Sequence, residues 1–235
     1  LADHPSTHRR LALRFWQFYG MESPPEKAIE RTAKALKNGD IKAGLRSVAK
    51  APEFWSADCV RSLPRSPADF VVGVARQSGV GAGLRALRPS TNTPETRIPS
   101  KILDEMGYSG YRMERMGLNL LIPPDVSGWK WDRTWITPAT MAERYQYQGQ
   151  FHWHEDKMAA GAKAPLEFVK SKNPKERIDV ARAIAELHDL PLTAEELATA
   201  SKAGGNIELK EDWNWVHTYT QMLRVMLASP RSNLV

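Results

Sequence analysis

Cysteine is almost missing from this sequence: Cys59 is the only one in 235 residues. A lone thiol excludes an internal disulfide and any multi-cysteine metal cluster. It leaves the compartment open, because many exported proteins also lack disulfides. Long hydrophobic runs are missing as well, and no stretch approaches the roughly 18 apolar residues that a membrane-spanning helix needs. The opening, "LADHPSTHRRLALRF", has no initiator methionine and no signal-peptide hydrophobic region, so it reads as an entry into the middle of a longer polypeptide. Familiar catalytic signatures are also lacking. There is no Gly-x-Ser-x-Gly elbow and no Cys-x-x-Cys-His haem site, and Cys59 has no nucleophile context. "SGVGAG" at 78–83 has no Gly-Lys-Ser/Thr and no preceding strand pattern, which makes it a helix stop and turn rather than a phosphate loop.

What is present is an ordinary globular composition, 42% hydrophobic and 26% charged, with a basic excess of +6 and a pI near 9.4. Nucleic-acid binding would call for those charges on one face together with a recognition motif, and no such motif occurs. Lys27, Arg31, Lys34 and Lys37 share a helix with Glu26 and Glu30, the pattern of a solvated face. The densest basic run comprises Lys163, Lys170, Lys172, Lys175 and Arg177. It reads as a surface segment, with an acidic partner surface as the alternative.

Helical periodicity dominates, and alternating strand patterns are nearly absent. Leu11, Phe15 and Phe18, flanked by Ala12, Trp16 and Tyr19, form an apolar stripe on a first helix that begins near Pro5 and ends at Gly20. A second helix starts near Pro25 and stops at Asn38-Gly39. Asp40 then caps a third, with Ile41, Leu45 and Val48 on one face. Ser66, Pro67 and Asp69 signal a fourth. Residues 79–100 are rich in Gly, Pro, Ser and Thr, after which helical patterns resume. Thr193 and Glu196 form a capping-box signature, and Val216, Tyr219, Leu223 and Met226 lie on one stripe of the last helix. The expected fold is all-α, an irregular multi-helix bundle with a long Trp-rich loop. Its expected organisation is a helical core over 1–150, a polar connection over 151–175, and C-terminal helices over 176–235 that pack back on the core.

Two constellations bear on function. Trp129, Trp131 and Trp135 crowd one loop, behind Pro123, Pro124 and Asp125. An indole buries up to about 250 Å², so three of them can fix a long loop, and Gly128 permits a positive-φ turn. The alternative is a sugar- or ligand-binding platform with Asp125, Asp132 and Arg133 as polar contacts. Arg144, one or two helical turns later, could pair with Asp125 or Asp132 and hold the loop shut. The second constellation is "FHWHED". His152, His154 and Glu155 supply three metal-ligand types, and His217 or Asp156 could complete a zinc site. His4 and His8 have helical i,i+4 spacing, but His4 suits capping better.

Four segments together resemble the bacterial domain-of-unknown-function family 1800: "HPSTHRRLALRFWQFYG", "APEFW" followed by "SPADFVVGVAR", "IPPDVSGWKWDRTWITPATMAERYQY", and the closing "MLASPRS". They match, in order, the family's "HPAT-R-IARKLWRFF", "SPEFW…SPVEFVVG", "PPNVAGWPGG-WIN-ATLLAR-NF" and "LLASPEF" patterns, and they lie in the C-terminal half of that longer family. Trp129 and Trp135 fall on the family's pattern. Trp131 and the "KWDRT" insertion depart from it, as does Asp125, which stands where asparagine is usual. The resemblance implies a helical, exported protein, periplasmic or extracellular, often accompanied by a sulfatase-like companion. It brings no catalytic residues with it.

The expected role is a non-catalytic accessory or structural subunit that contacts its own N-terminal half or a companion protein, with no cofactor and no nucleic acid. The alternatives are a carbohydrate or small-ligand binder, or a hydrolase, with a pocket at 123–135, and a zinc enzyme built on His152 and His154.

Overall fold

Most of the helix starts can be traced to short polar side chains that satisfy the first free amides. The computed structural model describes residues 4–79, 85, 97, 100–129, 133–150, 163–205 and 212–235. Among these residues it contains ten α-helices and no strand, in agreement with the all-α reading. The helices are α1 Pro5–Tyr19, α2 Glu26–Ala35, α3 Ile41–Ala49, α4 Pro67–Gln77, α5 Ser100–Arg115, α6 Pro138–Gln150, α7 Lys163–Ser171, α8 Arg177–Leu187, α9 Ala194–Ala203 and α10 Asp212–Ala228. His4 caps α1 by accepting the Ser6 amide on Nδ1, and Asp40 caps α3 by accepting the Ala43 amide. Ser66 caps α4 at Asp69. Thr193 and Glu196 close a reciprocal capping box on α9, as their spacing predicts.

The chain divides into two compact units. One comprises residues 1–64, 130–134 and 234–235; the other comprises 65–129 and 135–233. The division of the chain therefore falls after Pro64. The reason lies in the core: side chains of α4, α5 and α6 share one apolar cluster with those of α7 to α10. The segment expected as a polar connection over 151–175 also contributes. Leu166 and Val169, three residues apart on α7, are buried in that cluster, and Lys172 reaches Glu186 with its ammonium. The basic run is likewise drawn into structure. Lys170 lies over the Trp215 ring, and Arg177 donates to Thr218 Oγ1 and the Gly204 carbonyl.

In the first unit α1, α2 and α3 pack pairwise. The buried face of α1 is not the stripe of Leu11, Phe15 and Phe18. The flanking Ala12 and Trp16 are the buried ones, while Leu11 and Phe18 are exposed. Trp16 Nε1 donates to Thr32 Oγ1 at 3.0 Å, which turns the indole toward α2 and fixes the rotation of α1. On α3, Gly44 and Val48 are buried and Ile41 is exposed. A Cβ at Gly44 would stand 2.5 Å from Leu36 Cδ2 and 3.1 Å from Phe15, so the missing side chain is what lets α3 approach. Leu63 and Val235 exchange two backbone hydrogen bonds in this unit.

In the second unit α10 is the central element, touching α6, α7, α8 and α9. Tyr219, Leu223 and Met226 are buried as the stripe predicts, and Val216 packs against the same cluster. Two polar groups sit deep among them. His188 Nε2 meets the Tyr219 hydroxyl at 2.5 Å, and burial, helped by the charge of Arg65, pushes the imidazole down to about 4.

Two outcomes follow for stability. Trp16→Ala removes a filled volume and the indole donor to Thr32, and should cost about 3–5 kcal/mol in urea unfolding. Trp55 is 74% exposed, and Trp55→Ala should cost only about 1 kcal/mol, roughly its bond to the Ala49 carbonyl. For His188 the folded value lies below the unfolded one, so the unfolded chain takes up the proton first as pH falls. Stability is therefore full above about pH 6.5 and is lost toward pH 4, by on the order of 3 kcal/mol in total. The slope between pH 6.5 and 5, above the range of the carboxylates, should flatten in His188→Gln.

Candidate functional site

The Trp-rich loop begins with a helix stop. Gly117 has φ +94°, its amide donates to the Glu114 carbonyl, and the Leu118 amide reaches back to Met113. This is a Schellman closure, with Leu118 buried behind it. The ion pairs of Glu143 on α6 with Arg112 and Arg115 on α5 brace the helices on either side, at 3.1 and 2.6 Å. Sequence reasoning missed this triad. The i,i+3 spacing of the two arginines was its only local signal, because Glu143 lies about thirty residues on.

Beyond Leu118 the chain leaves the core. Leu120, Leu121, Ile122, Pro123, Pro124 and Val126 are all exposed. Leu121 takes a left-handed conformation, and the Ile122 amide donates to the Asn119 carbonyl. Asp125 then builds a turn, accepting the Ser127 amide and hydroxyl on Oδ1 while Gly128 donates to its carbonyl. Gly128 has φ +85°, as the sequence led us to expect.

The three indoles behave differently. Trp135 is buried, its ring 3.7 Å from where a Cβ at Gly117 would be, and its carbonyl accepts the Thr140 hydroxyl. Thr137 in turn caps α6 at the Thr140 amide. Trp129 is half-buried, and its Nε1 is enclosed with no hydrogen-bond partner among the described residues. Trp131 and Asp132 lie outside the described residues, as does the side chain of Arg133.

Arg144 does not pair with Asp125. It is fully buried, donating from Nη2 to the Arg65 carbonyl at 2.7 Å and from Nη1 to Asn233 Oδ1 at 3.1 Å. Its guanidinium carbon sits 5.0 Å from the Phe70 ring centre. Burial and the neighbouring charge of Arg65 push it down to about 10. The expected lock on the loop is thus a clamp inside the core. Asp125 uses Oδ1 to close its own turn.

For the metal constellation, His152, His154, Glu155 and Asp156 lie outside the described residues. His217 is on α10, its ring edge-on to Trp213 at 6.5 Å. Among the described residues no group of three or more His, Cys, Asp or Glu could hold a metal ion. Burial pushes the Cys59 thiol up, so it stays protonated at neutral pH and is a poor nucleophile. No described helix is long and apolar enough to cross a membrane.

Parts of three segments that carry the family resemblance meet in the second unit, whereas "HPSTHRRLALRFWQFYG" and "APEFW" belong to the first. Arg144 belongs to one block, Phe70 to another, and Asn233 follows directly on the closing "MLASPRS". No curated protein and no solved structure matches the chain. A family model does match, over residues 1–234, well beyond the four segments that first suggested it. The chain belongs to the family described as "Protein of unknown function (DUF1800)".

Proposed function

We propose that this chain is a non-catalytic accessory or structural subunit of an exported bacterial assembly, acting through protein–protein contacts made by the loop after α5. One observation carries the reading. Leu120, Leu121, Ile122 and Val126 stand exposed on a loop whose two ends are fixed by a helix closure and a buried indole. Apolar side chains held out on a restrained loop have already lost much of the entropy that binding would otherwise cost. Pro123 and Pro124 add to that restraint. The partner is a protein presenting an apolar cleft: the family's N-terminal region or a companion such as the sulfatase-like one. Export to the periplasm or beyond rests on the family resemblance.

A second reading has one observation in its favour. The enclosed Trp129 Nε1 has an unused donor that a sugar hydroxyl or another polar ligand group could accept.

A photo-crosslinking residue at Leu121, in the chain expressed in its source cell, should yield one discrete protein adduct, whereas the same residue at the exposed Lys27 should yield none. Leu121→Asp should abolish the association while shifting unfolding stability by no more than about 0.5 kcal/mol. Absence of an adduct at Leu121, or saturable quenching of tryptophan fluorescence by an oligosaccharide, would overturn the contact role.

A further inference from the structure

The first unit holds a groove of about 740 Å³ between α1 and α2, within the size range of small-molecule sites. His8 and Arg9 reach it from α1, Glu30 and Lys34 from α2, and Lys37 and Asn38 from the 3-10 turn that follows α2. Pro5 and Ala33 supply apolar wall. On α2 the spacing 30, 33, 34 puts one helical face along the groove, and on α1 the spacing 5, 8, 9 does the same.

The electrostatics of these residues are uneven. Arg31, on another face of α2, is occupied by Glu53. Arg9 is held by Glu26, through Nε at 3.1 Å and Nη2 at 2.8 Å, which fixes the guanidinium and leaves Nη1 unused. Lys34 and Lys37 make no ion pair among the described residues, and Glu30 is the single carboxylate in the lining. The positive end of the α1 dipole lies at Pro5. Two unpaired ammonium groups, a preset guanidinium and an imidazole thus belong to residues lining a space larger than a bare ion needs.

We infer that this groove binds a small organic anion bearing a tetrahedral oxyanion ester, a phosphate or sulfate monoester on a sugar-sized body. The ammonium groups of Lys34 and Lys37 and the free Nη1 of Arg9 hold the ester oxygens. Pro5 and Ala33 take the apolar face of the body, and the Asn38 amide and His8 offer hydrogen bonds to its hydroxyls. This site is independent of the loop after α5 and stands or falls separately from the contact role.

Glucose 6-phosphate and glucose 6-sulfate serve as probes, titrated calorimetrically into the full chain at low and physiological salt. Saturable binding of at least one ester is expected, and the tighter one identifies the source of the oxyanion. In Lys34→Gln/Lys37→Gln affinity should fall by about tenfold or more. Lys42→Gln/Arg46→Gln removes the same charge from exposed positions of α3 and should leave affinity unchanged. Circular dichroism checks that both double variants keep the wild-type helix content. If neither ester binds at millimolar concentration, or if both double variants weaken binding equally, the inference is overturned. Binding that survives in Lys34→Gln/Lys37→Gln overturns it too.

Discussion

A guanidinium without a carboxylate holds the second unit together. Arg144 is fully buried and makes no ion pair among the described residues, yet it donates to a carbonyl and a side-chain amide and lies against an aromatic face. Burying a charge in this way is costly unless its donors are met; here Nη1 and Nη2 are met, while Nε has no partner among the described residues. The arrangement therefore depends on Arg65, Asn233 and Phe70 arriving together. Arg65 and Phe70 come from the start of α4 and Asn233 from the turn after α10, so the guanidinium on α6 acts as a registration point for those two stretches. Asn233 is itself held by the Ser229 carbonyl, and Ser229 in turn donates to Glu196 at the start of α9. The cap of one helix and the clamp on another are thus linked through one short C-terminal turn.

Smallness sets the arrangement in the first unit. Gly44 and Ala12 occupy the buried faces, and the bulkier Phe18 and Ile41 are left outside. Helix approach here is governed by the thinnest side chain available, because a Cβ at position 44 would intrude on Leu36. The Trp16 to Thr32 hydrogen bond then selects one rotation of α1 among several apolar faces.

This explains what could and could not be read from the sequence. Helix starts at His4, Asp40, Ser66 and Thr193 were legible because a cap is a local device, complete within four residues. The stripe of α10 was legible because Tyr219, Leu223 and Met226 leave few competing faces. The buried faces of α1 and α3 were not, because both helices are apolar over much of their circumference and the choice depends on Thr32 and Leu36 in another helix. Arg144 was misassigned for the same reason. Its partners lie 79 and 89 residues away, while Asp125 was merely close in sequence. Of the loop, the turn at Asp125 and Gly128 and the burial of Trp135 were foreseeable. The outward placement of Leu120 to Ile122 was not, since a hydrophobic triplet in sequence ordinarily reads as core.

That triplet raises a question of solubility which the next two residues answer. Three consecutive exposed aliphatics would ordinarily invite strand-to-strand stacking between molecules, which needs a continuous row of backbone donors. Pro123 and Pro124 carry no amide hydrogen, and the left-handed backbone at Leu121 breaks the extended conformation just before them. The same few residues therefore expose a sticky surface and withhold the main-chain pairing by which stickiness spreads into cross-β aggregates.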